Sequence, residues 1–255
     1  MAFGRSRFFK LGAAAVLAGS LAACNTTSTG LGLNLVSEQQ VQQMGLQTWE
    51  KIKAETPQTR DASMRNRAEQ VSHRILRGAG ENPAAWEIAV FQGDAKNAFA
   101  VPGNRIGVYE GMMRFASDDE LAAVIGHELA HVTEDHSSER VNTSMATQTG
   151  VQIASAVAGA SNIVSPQVAA AILGAGAQYG LEMPYGRNQE LEADRLGLGY
   201  MARAGYNPEA AVSLWQRMET SSSPEFLSTH PGAERRIERI REWLPEVMPI
   251  YRANK

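Results

Sequence analysis

The order of hydrophobic and polar positions predicts helices in the first part of the chain and strands after them. Between residues 37 and 56, apolar side chains recur near one helix face, with Ser37 as the N-cap and Val36 as the staple before it. A second helical pattern begins near residue 61 and ends at about residue 77, before two closely spaced glycines. Three short apolar runs separated by turn residues then predict strands at residues 86–91, 97–101 and 105–109.

A sharply bounded helix is predicted directly after the strands. Ser117 and Glu120 form the capping-box pattern of a helix start, and apolar residues follow at the spacing of a core-facing stripe. Further helices are predicted at about residues 189–204, 208–218 and 233–243. The predicted fold class is therefore α+β and helix-dominated, with a small sheet in front of the helix that begins near residue 117.

The stretch from residue 145 to 180 allows two interpretations. Residues 151–174 are rich in Ala, Gly, Val and Ile, which is a composition found in transmembrane helices. Polar residues and a proline, among them Asn162 and Pro166, interrupt this stretch. No apolar run therefore reaches the roughly 18–20 residues needed to cross a bilayer. Two short amphipathic helices are favoured over a membrane span.

Composition and charge narrow the possible functions. The chain has 255 residues, of which 44% are hydrophobic and 20% are charged, as in globular proteins with one domain or two small ones. The formal net charge is −3, and no basic block or alternation of basic and aromatic residues occurs. Nucleic-acid binding is therefore not expected.

The first residues predict export rather than a folded element. Residues 1–23 combine a basic start, a short apolar run and small residues directly before Cys24, as in a secretory signal peptide. The pattern resembles the lipobox of bacterial lipoproteins, which implies that Cys24 becomes the acylated N-terminus. A plain signal peptide with an unrelated cysteine is the alternative. Cys24 is the single cysteine, so no disulfide can form within the chain.

The residues after the cysteine predict a tether and a location. Residues 24–36 are rich in Thr, Ser, Gly and Asn, which favours a lipidated flexible tether before a domain at residues 37–255. Asn25 follows the cysteine, and by the usual sorting pattern of such lipoproteins it implies an outer-membrane anchor facing the periplasm.

The candidate chemistry begins with the sequence His127-Glu128-Leu129-Ala130-His131. Histidines four residues apart on a helix lie on one face, where two imidazole nitrogens can bind one zinc ion. The glutamate between them can act as a general base toward a water that zinc activates. Five residues with two free positions also occur by chance, but the surrounding helix signals favour the functional interpretation. The motif predicts hydrolysis of a peptide bond.

A third ligand is expected from a second helix. Glu190 and Asp194 are four residues apart and share a helix face, whereas Glu192 is rotated by about 200° and should point elsewhere. Glu190 is the candidate zinc ligand, and Asp194 is placed to orient a ligating histidine through its other ring nitrogen. His136, nine residues after His127, is out of phase on a continuous helix. It is predicted to be a helix-end histidine near the C-terminal dipole.

The two motifs together resemble those of M48 peptidases, which include the Ste24- and HtpX-like enzymes. That signature joins H-E-x-x-H to a later E-x-E-A-D, here at residues 127–131 and 190–194. The resemblance implies a zincin-like domain with one zinc per chain, bound by His127, His131 and Glu190, and a general base from the glutamate of the first motif. The chain departs from Ste24 and HtpX in having no convincing transmembrane helices, which implies the periplasmic lipoprotein branch.

Two weaker signals accompany this resemblance. Asn97-Ala98-Phe99-Ala100 looks like the strand beside the active site of the family, along which an extended substrate would bind by strand addition. His230 lies in a His-Pro element near the C-terminus. One hypothesis is that His230 stabilises the transition state or fills the open zinc position in a resting form. The alternative is a histidine packed in a turn.

The expected function is zinc-dependent endopeptidase activity toward unfolded or misfolded cell-envelope proteins. The expected partners are these substrates, a membrane through the lipid on Cys24, and outer-membrane assembly machinery. The alternative is a zinc-binding chaperone or assembly factor for outer-membrane proteins whose site is closed and mostly inactive. An accidental motif in a structural lipoprotein is disfavoured because both motifs are present.

Overall fold

A computed structural model describes residues 36–143, 184–221 and 224–255. Within these ranges the chain is mainly helical and contains one three-stranded sheet. The strands are β1 (Glu87–Phe91), β2 (Ala98–Val101) and β3 (Arg105–Tyr109). The helices are α1 (Glu38–Glu55), α2 (Ala62–Ala79), α3 (Glu110–Phe115), α4 (Asp118–Thr133), α5 (Arg187–Arg203), α6 (Ala210–Thr220), α7 (Pro224–Thr229) and α8 (Ala233–Asn254). A further helical segment covers residues 136–143. The predicted helix-dominated α+β class is confirmed.

Local capping explains where the long helices begin. Ser37 accepts a hydrogen bond from the Gln40 N–H, and the Gln40 side chain accepts one from the Ser37 N–H. Ser117 and Glu120 form the same reciprocal pair at the start of α4. Both capping boxes satisfy backbone donors that a helix start otherwise leaves free. The two predicted helix starts are therefore confirmed.

The sheet has the order β1-β3-β2. β2 and β3 form an antiparallel hairpin, whereas β1 runs parallel to β3. Residues 57–59 cover the outer edge of β1, where the Thr59 N–H donates to the Val90 carbonyl oxygen. β2 is the opposite edge strand, and it lies against α4.

The hydrophobic core surrounds α4. Residues 120–131 of this helix are all buried, among α2, α5, α6 and β2. A smaller aromatic cluster joins α1 to the sheet through Trp49, Phe91 and Phe99, whose ring centroids are 5.5–6.1 Å apart. Because α4 is buried on every side, water is largely excluded from its two histidines.

Two glycines allow α4 and α5 to cross at close range. A Cβ on Gly197 would lie 3.0 Å from the His127 backbone nitrogen, and a Cβ on Gly126 would lie 3.2 Å from the Gly197 carbonyl oxygen. Side chains at these positions would force the helices apart. The close crossing therefore brings the histidines of α4 toward the carboxylates of α5.

Three helices differ from the sequence prediction. α3 and α7 were not predicted, and α8 continues 11 residues past the expected end at residue 243. It passes Pro245 and Pro249, which lack the N–H that a helix interior uses. Val247 is nevertheless buried in the core, and Tyr251 packs against it, so apolar contacts support the extended helix.

Some predictions concern residues outside the described ranges. They are the signal peptide, the lipidated Cys24, the tether up to residue 35 and the two amphipathic helices between residues 145 and 180. None of the helices within the described ranges is long and apolar enough to cross a membrane.

Candidate metal centre

Four buried side chains from three parts of the fold converge on one point. His127 and His131 come from α4, Glu190 comes from α5, and His230 follows α7. One ligand atom from each lies within 4.8 Å of the others. The Nε2 atom of His127 is 3.1 Å from the Nε2 atom of His131 and 3.1 Å from the Nδ1 atom of His230. The Glu190 carboxylate oxygens lie 3.1–3.5 Å from the three imidazoles.

These distances fit zinc. Protein nitrogen and oxygen ligands lie about 2.0–2.2 Å from zinc, so the corners of a tetrahedron around the ion are about 3.3–3.6 Å apart. Contacts of 3.1–3.5 Å between the ligand atoms match that spacing closely. Three imidazole nitrogens and one carboxylate oxygen are also a donor set typical of zinc. The group is therefore suited to hold a zinc ion.

Glu128 lies beside this group. Its carboxylate is buried, and its Oε1 atom is 3.2 Å from the Nε2 atom of His230. His230 thus lies between Glu128 and the other ligand atoms. The predicted general base and the histidine of the C-terminal element are brought together by the fold, although 102 positions separate them in the chain.

A buried ion cluster supports His127 from behind. The Nδ1 atom of His127 is 3.0 Å from an Asp194 oxygen, and Arg236 donates to both oxygens of Asp194 at 2.7 and 2.6 Å. The third guanidinium nitrogen of Arg236, Nη1, lies 2.6 Å from Glu190. The guanidinium stacks over the Trp215 ring at 3.7 Å. Arg236 therefore holds Glu190 and Asp194 of α5 with one cation.

Sequence reasoning gave Arg236 no role and missed this contact. Its position six residues after His230 is the one available signal, and no spacing rule connects it to α5. Burial alone raises the pKa of Asp194, but Arg236 outweighs that effect and holds the pKa below its ordinary value. Asp194 is therefore a carboxylate that can accept the Nδ1–H of His127.

The charges of the metal group are set by the same neighbours. Burial alone raises the pKa of Glu190, but Arg236 and His230 outweigh it and hold the pKa well below its usual range. Burial lowers the pKa of His131 well below its usual value, although Glu190 acts in the opposite direction. The Glu128 and Glu190 carboxylates outweigh burial at His230 and raise its pKa to about 9. Glu190 is thus anionic and His131 is neutral, as zinc ligands must be, whereas His230 must release a proton before it can bind the ion.

His136 is placed differently from the sequence prediction. α4 ends at Thr133, Asp135 adopts a left-handed φ of 54°, and His136 begins the next helical segment. The prediction of a helix-end histidine near the dipole of α4 is therefore wrong, because the phase argument assumed one continuous helix. His136 is buried, and its Nδ1 atom is 2.9 Å from the Nδ1 atom of His131.

Glu192 points away from the metal group, as its rotation along α5 predicted. Its Oε2 atom lies 3.3 Å from the Nε2 atom of His136, and 56% of its side chain is exposed. Tyr185 completes the surroundings of His131 by stacking on its ring, with centroids 3.6 Å apart and an angle of 12° between the planes. Neither contact was expected from the sequence.

The candidate substrate strand has mostly buried side chains. Asn97 is half-buried just before β2, while Ala98, Phe99 and Ala100 lie in β2 and are buried. The Phe99 ring belongs to the aromatic cluster rather than to the metal group. β2 can therefore contact an extended peptide through its backbone, which lies at the edge of the sheet.

Comparison with known proteins gives relatives that include metalloendopeptidases and assembly-enhancing proteases. The mitochondrial metalloendopeptidase OMA1 of Schizosaccharomyces pombe is 37% identical over 183 residues, which are 69% of this chain and 52% of that protein. OMA1 of Saccharomyces cerevisiae is 31% identical over 204 residues, 72% of this chain and 56% of the relative. The beta-barrel assembly-enhancing protease of Yersinia pestis is 27% identical over 234 residues, 88% of this chain and 47% of the relative. The chain spans about half the length of these relatives.

The sequence matches peptidase family M48 over residues 61–244. That match covers more than half of the chain and includes the four buried ligand-type residues and Glu128. The spacing of the ligand atoms fits the zinc that this family uses. The chain belongs to peptidase family M48, the zinc metallopeptidases whose two sequence motifs it carries.

Proposed function

We propose that this protein is a zinc-dependent endopeptidase that hydrolyses unfolded or misfolded proteins of the bacterial cell envelope. The observation that carries the proposal is the buried group of His127, His131 and Glu190 with Glu128 directly beside it. Zinc held by these three residues would polarise the scissile carbonyl and activate the attacking water.

Glu128 is the proposed general base. Its carboxylate is buried next to the ligand atoms, where it can accept a proton from the attacking water and deliver it to the leaving amine. The ion cluster behind His127 keeps Glu190 and Asp194 charged and orients the first imidazole. These residues position the metal and leave the proton transfer to Glu128.

The proposed substrate class follows from β2. An edge strand can bind an extended peptide through backbone hydrogen bonds, which require an unfolded segment and tolerate many sequences. The segment at Asn97–Ala100 is the proposed binding strand. A relative named for enhancing beta-barrel assembly supports an envelope role, and the mitochondrial relatives support the protease activity without that location. An outer-membrane anchor through a lipid on Cys24 is proposed from the sequence.

His230 supports a closed resting form of this enzyme. Its Nδ1 atom lies among the ligand atoms and its Nε2 atom contacts Glu128, so one side chain engages both the metal position and the base. A fourth protein ligand takes the position that a catalytic zinc keeps open for water. This arrangement also favours the second candidate function, a zinc-binding chaperone or assembly factor that is mostly inactive.

Replacement of Glu128 by Gln tests the proposed reaction. We expect the purified chain to bind one zinc and to cleave casein, and Glu128→Gln to keep the zinc while cleavage falls by at least about 100-fold. Zinc content by atomic spectroscopy and cleavage by gel assay are measured on the same preparations. Retained turnover in the variant would refute the base assignment. Zinc without cleavage in either form would favour the chaperone function.

His230→Ala tests the closed form. Removing the fourth ligand should weaken zinc binding and raise cleavage, because the open position becomes available to water. A fall in cleavage would instead indicate that His230 acts in turnover. Unchanged zinc affinity together with unchanged cleavage would remove His230 from the mechanism.

A further inference from the structure

The two ring nitrogens of His131 face different surroundings. Its Nε2 atom lies in the metal group, 3.1 Å from the Nε2 atom of His127 and 3.4 Å from Glu190. Its Nδ1 atom lies 2.9 Å from the Nδ1 atom of His136. Both histidines are buried, so solvent does not satisfy these two nitrogens. The hydrogen bond between them must settle which nitrogen carries the proton.

The contact with Glu192 sets the direction of that hydrogen bond. The Nε2 atom of His136 lies 3.3 Å from a Glu192 carboxylate oxygen, which can only accept. His136 therefore carries its proton on Nε2 when the imidazole is neutral, and its Nδ1 atom is an acceptor. The facing Nδ1 atom of His131 must then be the donor. Its Nε2 atom is left with a free lone pair directed at the metal position.

We propose that His136, polarised by Glu192, is a positioning residue that selects the metal-binding tautomer of His131. The proposal rests on the zinc site of the proposed function and does not depend on turnover. His136 touches no reacting atom, and it does not belong to the group of converging ligand atoms in the described part of the chain. It acts through His131 alone.

The opposite tautomer of His131 could donate to Glu190, which lies 3.4 Å from Nε2, but it is unfavourable for two other reasons. A proton on its Nε2 atom would occupy the metal position, and its bare Nδ1 atom would face the acceptor nitrogen of His136 without a proton between them. The ring cannot relieve this by turning over freely, because Tyr185 stacks on it with centroids 3.6 Å apart. Packing thus fixes the plane of the ring, and His136 fixes its proton.

Two amide substitutions separate the two contacts of His136. The side-chain oxygen of Asn can take the place of Nδ1 and still accept from His131, whereas the longer Gln reaches the position of Nε2 and loses that contact. We expect His136→Gln to weaken zinc binding by about 10- to 100-fold, the usual effect of losing such a partner. His136→Asn should restore the affinity to within about threefold of the original. Zinc affinity is measured on the full chain by competition with a chelator.

Glu192 provides a second pair of variants at a half-exposed position, where folding is not at risk. Glu192→Gln keeps an acceptor for His136, whereas Glu192→Lys presents a donor that reverses the hydrogen-bond direction. We expect Gln to leave zinc affinity within about twofold and Lys to lower it by about tenfold, within the range known for outer partners. Equal affinities for Gln and Lys would oppose the proposed direction.

A spectroscopic measurement reads the tautomer directly. Nitrogen-15 shifts of the histidine rings in the zinc-free chain should show His131 with its proton on Nδ1, and a substantial Nε2–H population in His136→Gln and Glu192→Lys. This readout distinguishes positioning from a loss of stability, and it remains valid if the chain shows no peptidase activity. An Nε2–H tautomer of His131 in the unaltered chain would overturn the proposal, as would equal zinc affinities of the Asn and Gln variants.

Discussion

The two histidines of α4 point their Nε2 atoms at the same metal position but are held from behind in different ways. Behind His127 lies Asp194, a fully buried carboxylate that accepts twice from Arg236. Behind His131 lies the imidazole of His136, whose far nitrogen reaches a half-exposed carboxylate. The support behind His127 is a buried cluster of charged groups, and the support behind His131 is an imidazole whose carboxylate partner lies at the surface.

Replacing a residue behind His127 and replacing one behind His131 should therefore have different effects. A buried charge that loses its partner is left uncompensated, which lowers the free energy of unfolding by several kcal/mol. Replacing an exposed partner of an imidazole, by contrast, leaves no carboxylate buried without its cation. We therefore expect changes behind His127 to act first on stability, and changes behind His131 to act first on zinc affinity.

Arg236→Met should give the largest effect. It leaves Glu190 and Asp194 buried without their shared cation, so we expect the zinc-free chain to lose about 3–5 kcal/mol of unfolding free energy. Urea unfolding measures this loss. Arg239→Met is the matched control on the same helix, because Arg239 is 44% exposed and its change should cost less than about 1 kcal/mol. Equal losses in the two variants would show that burial of the arginine does not determine how much its ion pair stabilises the fold.

Gly197→Ala should affect both histidines together. The new Cβ would lie 3.0 Å from the His127 backbone nitrogen, so α4 and α5 must separate and move their ligands apart. We expect a loss of about 1–3 kcal/mol from overpacking and weaker zinc binding. Gly199→Ala is the control, since its Cβ meets only the end of the flexible Arg203 side chain. That variant should be neutral or more stable, as alanine is the better helix former.

Tyr185 supports His131 from another side, because its ring stacks on the imidazole. Tyr185→Leu removes the stacked ring, whose contribution is about 0.5–1.5 kcal/mol, so zinc affinity should fall by up to about tenfold. Tyr185→Phe keeps the ring and loses only the contact between its hydroxyl and Ser137, so its affinity should stay within about twofold. Calorimetric zinc titration measures both. A weaker Phe variant than Leu variant would exclude stacking as the cause.

The start of α4 contains an ion pair of the same length as the one behind His127 but nearer to water. Glu120 and Arg217 are 2.6 Å apart, and 46% of the Arg217 side chain is exposed. We expect Glu120→Gln to cost only about 1 kcal/mol at neutral pH, which urea unfolding can measure. A loss of unfolding free energy as large as that of Arg236→Met would show that burial does not determine how much these ion pairs stabilise the fold.

The pH dependence of the same variant checks its cause. Burial alone raises the pKa of Glu120, but the Ser117 N–H and Arg217 outweigh it and hold the pKa below its ordinary value of 4.5. A depressed pKa gives stability that is present above pH 4.5 and is lost as the pH falls through the folded-state value. The difference between the original chain and Glu120→Gln should therefore persist from pH 7 to 5 and vanish in stronger acid.

The accuracy of the sequence predictions depended on the range of the interaction. The capping boxes at Ser37 and Ser117 were predictable because all their partners lie within three residues. The end of α8 was placed at residue 243, whereas contacts of Val247 with the core continue the helix. His136 was assigned to the wrong setting because one left-handed residue, Asp135, changes the direction of the chain before it.

The sequence alone determined that His127 and His131 share one face of a capped helix, and that Glu190 and Asp194 share a face of another, because helical periodicity depends only on spacing. The tertiary structure alone decided that these faces meet at the Gly126–Gly197 crossing. It also decided what lies behind each imidazole: an ion cluster completed by an arginine from α8, or a second histidine after a turn. Such contacts depend on burial and on distances between remote segments, which no local pattern encodes.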